Sequence, residues 1–373
     1  MCGIVGYVGY DEAAGKIIEG LKKLEYRGYD SSGIAILSDK GIELNKCKGE
    51  IKNLENMIAG RIPSGTCGIG HTRWATHGAP SDVNSHPHMD QSGRVALVHN
   101  GIVENYVELK EALINEHGIK FKSETDSEVI AQLVGVKYNS NGGDLEKAVY
   151  DAIKEMRGTY AIGVIAEDTP NKIVAYRKEA PLIAGLGKKS NFIASDIPAL
   201  LKYTNDIFLI ENDEMVICTP DSITIKDKDG KEVKREAMKI TWSVEDAEKG
   251  GYEHFMLKEI NEQPKVVAET LNRRIDEDGK IKLDGINLTK EELDNYNKIY
   301  IVACGTAYHA GLVGKYVIEK MAGIAVEVDV ASEFRYRDPF IDEKTLFIAI
   351  SQSGETLDTL MSLRLAKEKG ARV

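Results

Sequence analysis

The chain has 373 residues, 42% of them hydrophobic, which is enough for a sizeable core and, by length, two or three domains. Acidic residues outnumber basic ones by 59 to 48, a formal net charge of −11. That balance excludes a general nucleic-acid binder, which needs basic surface against phosphates, but leaves room for a local pocket holding one small anion. No apolar run reaches membrane-span length, the first residues carry no basic leader, and the five cysteines include no Cys-x-x-Cys pair. Neither a membrane anchor, a secretory signal, a disulfide framework nor a zinc site is expected, and the cytoplasm fits best.

In chain order, Gly3-Ile4-Val5-Gly6-Tyr7-Val8 reads as a buried strand. Ala14, Ile17, Ile18, Leu21 and Leu24 then recur at helical spacing between Asp11 and Tyr26. Strand-like runs follow at Gly33–Leu37, Ile69–Trp74 and Val95–His99, then helices near Asn105–His117, Asp126–Tyr138 and Leu145–Met156. Thr125-x-x-Glu128 is a capping-box pattern for the second of these helices, and Gly158 is placed as the cap ending the third. From Thr159 onward strands dominate: Tyr160–Ala166, Lys172–Arg177, Phe192–Ser195, Phe208–Cys218, and a hairpin from Ile223–Lys226 through Asp229-Gly230. Helices between two groups of strands predict a layered α/β domain with largely antiparallel sheets. A charged stretch ending in Gly250-Gly251 marks the boundary, giving domains over 1–242 and 256–373 with a linker over 243–255. Beyond it comes an amphipathic helix around His254–Arg274, with Pro264 as a kink or boundary. Strands at Ile299–Ala303, Ala325–Val330 and Thr345–Ile350 then alternate with helical runs, the signature of a parallel, doubly wound sheet. The last residues look like the start of a further strand.

Cys2 is the first chemical signal. Removal of Met1 would place a thiol and a free α-amine on one residue, and an amine with pKa near ~8 can take the thiol proton. An acyl-transfer site also needs oxyanion donors, and Asn100-Gly101 supplies a side-chain amide and an unobstructed N–H. Arg73 offers a fork for a substrate carboxylate and Asp126 a counter-charge for an ammonium. Each has a plain reading as well: Arg73 a surface ion pair, Asn100-Gly101 a turn, Asp126 a helix cap.

Taken together, Cys2-Gly3-Ile4-Val5-Gly6, Arg73-Trp74-Ala75-Thr76-His77-Gly78, His86-Pro87-His88, His99-Asn100-Gly101 and Glu124-Thr125-Asp126-Ser127-Glu128 resemble the glutaminase domain of the N-terminal-nucleophile amidotransferases. The resemblance implies a four-layer αββα sandwich with Cys2 as nucleophile, its amine as base, and Asn100 and Gly101 as oxyanion hole. It implies that Arg73, Trp74, Thr76, His77, His86 and Asp126 line the glutamine site, with the segment around His86 on a loop closing over glutamine.

The second signal is Ser351-Gln352-Ser353-Gly354-Glu355-Thr356, a hydroxyl-rich strand-to-helix turn suited to phosphate, with Cys304-Gly305-Thr306 at an equivalent turn. Such turns also serve simply as caps. With Glu25-Tyr26-Arg27-Gly28-Tyr29-Asp30-Ser31 and Ala331-Ser332-Glu333-Phe334-Arg335-Tyr336-Arg337, they look like the glutamine–fructose-6-phosphate aminotransferase family and its sugar-isomerase (SIS) domain. This implies an incomplete αβα unit with a parallel sheet, fructose 6-phosphate held by Thr306, Ser351, Gln352, Ser353 and Thr356, and Trp74 as gate of an ammonia channel. It also implies a homodimer for the full-length enzyme and no cofactor or metal. Family chains are much longer, and Ala307 stands where the family usually has serine. A C-terminally cut chain that releases ammonia without completing sugar synthesis is therefore expected. Two other readings remain: the glutaminase of a phosphoribosylamine-forming enzyme, and a non-catalytic sugar-phosphate sensor.

Overall fold

Every residue of Gly3–Gly9 (β1) is buried, as an apolar run without alternation requires of a strand covered on both faces. It is followed by α1 (Ala13–Lys23), β2 (Ser31–Ser38), β3 (Gly41–Lys48), α2 (Ile51–Ile58), β4 (Cys67–Arg73), β5 (His88–Met89) and β6 (Val95–Val103). Helices α3 (Tyr106–His117), α4 (Asp126–Ser140) and α5 (Leu145–Glu155) come next. Strands β7 (Gly158–Ala166), β8 (Ile173–Lys178), β9 (Ile183–Leu186), β10 (Ser190–Ala194), β11 (Asp206–Leu209), β12 (Glu214–Cys218), β13 (Ile223–Lys226) and β14 (Met238–Lys239) complete the first unit. This computed structural model describes residues 2–75, 78–241, 250–276, 278–281, 283, 285–286, 288–352, 354 and 356–373. The chain divides into two compact units, 1–250 and 251–373, so most of the expected 243–255 linker lies outside the described residues.

In the first unit the strands form two antiparallel sheets, ordered β14-β11-β9-β10-β1-β4-β2-β3 and β13-β12-β8-β7-β6-β5. Ile4, Val8, Ile69, Val98, Ala161 and Ile193 fill the space between them. Ile17, Leu21 and Leu54 seat α1 and α2 on the outer face of the first sheet. Leu113, Val129 and Val149 seat α3 to α5 on the outer face of the second. The result is the four-layer αββα sandwich.

Three local expectations need correction. Phe208–Cys218 is two strands, because Asp213, at φ 62°, turns the chain out of β11 in the first sheet and into β12 in the second. Gly158 opens β7 rather than capping α5: its φ is +126°, and a Cβ there would lie 2.2 Å from the Ile102 carbonyl. Thr125 does cap α4, accepting the Glu128 N–H, but the Glu128 carboxylate turns to the N–H groups of Lys122 and Ser123, so the box is half formed.

The second unit contains α6 (Phe255–Asn272), α7 (Lys290–Asn295), β15 (Lys298–Ala303), α8 (Gly305–Ala322), β16 (Ala325–Val330), α9 (Ala331–Phe334), β17 (Thr345–Ile350) and α10 (Leu357–Glu368). Pro264 lies within α6 and ends nothing. The three strands form a parallel sheet, β16-β15-β17. Ile299 and Ile301 point to the α8 face, and Tyr300 and Val302 to the face carrying Phe334 and Ala366, an αβα arrangement. Arg372 bridges Leu346 in parallel, its N–H donating to the Thr345 carbonyl at 3.2 Å and its carbonyl accepting the Phe347 N–H at 2.7 Å, the pairing expected of a further strand entering beside β17.

Candidate active site

The site begins where β1 begins. Gly3 leaves no space for a side chain, since a Cβ would sit 2.7 Å from Thr72 Oγ1 and 2.8 Å from Leu24 Cβ. Cys2 is thereby held at the strand end beside the end of β4, where Gly3 pairs with Thr72. Its Sγ accepts the Trp74 N–H at 3.2 Å, and its carbonyl accepts from Arg27 Nε and from Asn100 Nδ2, each at 3.2 Å. Burial pushes the thiol pKa up, against the opposing pull of the Trp74 backbone and the Arg73 and Arg27 charges. At neutral pH the thiol is therefore protonated and needs a base before it can attack.

Asn100 comes from β6 in the other sheet, which brings residues far apart in sequence together. Its Nδ2 also reaches Ser195 Oγ at 2.9 Å, and its Oδ1 lies 2.9 Å from His71 Nε2. Gly101 follows at φ +123°, and a Cβ there would meet the Thr159 carbonyl at 2.0 Å. Arg73 is buried, donates to the Gly78 carbonyl at 3.0 Å, and feels the charges of Cys2, Asp126 and Asp30. Asp126 is not the cap of α4: it is the first helical residue, and its buried carboxylate accepts the Val103 N–H at 2.9 Å. Trp74 is half exposed, its ring edge-on to Tyr29 at 5.5 Å. His86 is buried, stacked on His71 at 4.1 Å and edge-on to His88 at 4.8 Å, with His99 close by. Burial holds all four histidine rings below the ordinary imidazole pKa. Thr76 and His77 lie outside the described residues.

Three contributors carried no role in what the sequence led one to expect, Arg27, Asp30 and Ser195, and a fourth, His71, was expected to be structural only. Asp30 accepts the Ala75 N–H at 2.7 Å and so shapes the turn carrying Trp74. Arg27 pairs with Asp196 at 3.2 Å while holding the Cys2 carbonyl. Both belong to the Glu25–Ser31 stretch, so a signal was present; Ser195, one serine past β10, offered none.

In the second unit Ala303 of β15 pairs with Ile350 of β17, so the turns Cys304-Gly305-Thr306 and Ser351-Gln352 sit side by side at the same sheet edge. Ser351 Oγ accepts the Gly354 N–H at 3.0 Å, and no side chain caps α8 or α10 among the described residues. Thr306 and Gln352 are exposed and Thr356 precedes α10, while Ser353 lies outside the described residues. Among the described residues, the N–H groups opening both helices thus have no capping side chain, an arrangement suited to an anion. Among the described residues no group of His, Cys, Asp and Glu is arranged to hold a metal, and no helix is long and apolar enough to cross a membrane.

Residues 71–202 match the family model of a glutamine amidotransferase domain, and residues 292–373 that of the SIS domain. Over all 373 residues the chain is 59% identical to the glutamine–fructose-6-phosphate aminotransferase [isomerizing] of Clostridium tetani, covering 61% of that protein. It is 50% identical to the protein of the same name from Thermus thermophilus, again over the whole chain and 60% of the relative. The chain thus spans about three-fifths of the length of the curated relatives it matches. Among solved structures it is similar to glutamine phosphoribosylpyrophosphate amidotransferase from B. subtilis, with a TM-score of 0.53 and 20% identity over 88% of this chain and 65% of that one. At that identity the likeness is one of fold, and it agrees with the αββα sandwich of the first unit. The chain thus joins a glutamine amidotransferase domain to a SIS domain and is similar, along its whole length, to these glutamine–fructose-6-phosphate aminotransferases.

Proposed function

We propose that the chain hydrolyses glutamine to glutamate and ammonia at Cys2. In the complete protein, the ammonia then converts fructose 6-phosphate, bound at the turns of the second unit, into glucosamine 6-phosphate. The observation that carries this is the juxtaposition of Cys2 with the Asn100 amide across two sheets. After loss of Met1, the α-amine of Cys2 takes the thiol proton and Sγ attacks the amide carbon of glutamine. Negative charge develops on the carbonyl oxygen and is met by Asn100 Nδ2 and the Gly101 N–H. Collapse breaks the C–N bond, the amine returns its proton to the departing ammonia, and water hydrolyses the thioester. Arg73 holds the α-carboxylate and Asp126 the α-ammonium, with Trp74, Thr76, His77 and His86 around them. Thr306, Ser351, Gln352, Ser353 and Thr356 hold the sugar phosphate. A cytoplasmic homodimer fits the free cysteines and the family.

Glutamine labelled with ¹⁵N in its amide tests the reading. Unlabelled fructose 6-phosphate is added, and the products are read by mass spectrometry. Glutamate with labelled ammonia supports the first step, and label in glucosamine 6-phosphate supports transfer. Absence of glutamate from protein confirmed to lack Met1 would sink both.

A further inference from the structure

Cys2 and Asn100 stand on different sheets, yet an oxyanion donor works only if held within about 0.5 Å of its place. The amide of asparagine can be turned over with little change of shape, so only its partners decide which end faces the nucleophile. Two residues of the first sheet make that decision. His71 Nε2, on β4, lies 3.1 Å from the His99 carbonyl, a pure acceptor, so this nitrogen carries the hydrogen. Burial keeps the ring neutral, with its pKa pushed down to about 3, so with Nε2 protonated Nδ1 is the bare nitrogen, and it meets no partner among the described residues. His71 therefore presents a donor, and only Oδ1 of Asn100 can face it, at 2.9 Å. On the other side Asn100 Nδ2 donates to Ser195 Oγ at 2.9 Å. Ser195 Oγ also accepts the Ile4 N–H at 2.8 Å, and the Ser195 N–H donates to the Ile4 carbonyl at 3.0 Å. The serine is thus fastened to the nucleophile's own strand, two residues past Cys2.

We propose that His71 and Ser195 are positioning residues for glutamine hydrolysis, a two-sided clamp that fixes the Asn100 amide with its NH2 toward Cys2. The inference rests on the glutaminase reading above. One Nδ2 hydrogen stays with Ser195. The other, on the Cys2 carbonyl at the longer distance of 3.2 Å, is the one handed to the developing oxyanion.

The test compares Ser195→Ala, Ser195→Thr and His71→Gln with the wild-type chain, measuring glutamate release, glutamine KM and Cys2 alkylation by iodoacetamide, followed on the Cys2 peptide. Alkylation needs the thiol but no oxyanion donor. Ser195→Ala is expected to lower kcat about 10- to 100-fold, a misplacement effect, with KM within about threefold and the alkylation rate unchanged. Ser195→Thr, which keeps the oxygen, and His71→Gln, which keeps a donor, should retain most of kcat. If Ser195→Ala fails to fold, His71→Leu takes its place, with the same loss expected. Unchanged kcat in the donor-less or acceptor-less variant overturns the clamp, and so does a parallel fall of kcat and alkylation. A wild-type chain that releases no glutamate overturns the glutaminase reading itself, and the clamp with it.

Discussion

Cys2, the proposed nucleophile, is held firmly while its thiol remains unactivated. Its carbonyl is gripped from two sides and its sulfur by one N–H, yet burial keeps the thiol protonated. On the reading proposed above, the base is the α-amine that Cys2 carries once Met1 is removed. Arg73 is argued to read the substrate carboxylate through its fork, which lysine cannot reproduce. Arg73→Lys should raise the glutamine KM at least about tenfold with a smaller change in kcat, a split that steady-state kinetics reads directly. The histidines carry a different consequence. His71, His86, His88 and His99 all have folded pKa values below the ordinary value of about 6.5, because burial disfavours their charged form. Between the folded and unfolded pKa values the unfolded chain binds more protons, so stability is complete above about pH 6.5 and is lost as pH falls. Each histidine that charges on unfolding contributes a slope of about 1.4 kcal/mol per pH unit, and a urea-midpoint series from pH 7.5 to 5 should show it. A flat series would contradict the burial of these rings.

Among the elements, β6 does most to build the site, since it carries Asn100 and Gly101 and pairs along its whole length with β7. Gly101→Ala forces a side chain into the Thr159 carbonyl at a φ that L-residues rarely adopt, and should cost about 2 kcal/mol or more in a denaturant titration. The fold was readable wherever a pattern served one face. Ile17, Leu21 and their neighbours announced α1, and the unbroken apolar runs of β1 and β15 announced strands buried on both sides. It was unreadable where tertiary context overrode the pattern. The edge strand β3 ends in Lys46, Cys47 and Lys48, and Lys46 is needed to hold the carbonyls of Val83 and Ser85. Its neighbour α2 spaces Ile51, Leu54 and Ile58 correctly but has no capping side chain to mark its start. The turn at Asp213 moves the chain between sheets within what reads as one strand. In the same way, Cys2, Arg73, Asn100 and Asp126 were visible through their chemistry, whereas Ser195 matters only through where β10 ends.

For the whole molecule, the first unit owns three apolar clusters and every described residue of the cysteine site. Residues 2–250 expressed alone should therefore unfold in one cooperative transition and release glutamate within severalfold of the 373-residue chain; loss of both would show that the second unit is required for folding. The central claim is simpler to test. Glutamate release from glutamine is measured for the chain and for Cys2→Ala, with Met1 removal confirmed by intact mass. The account predicts release that disappears in the variant, whereas equal release from both proteins would contradict the assignment of Cys2 as the nucleophile.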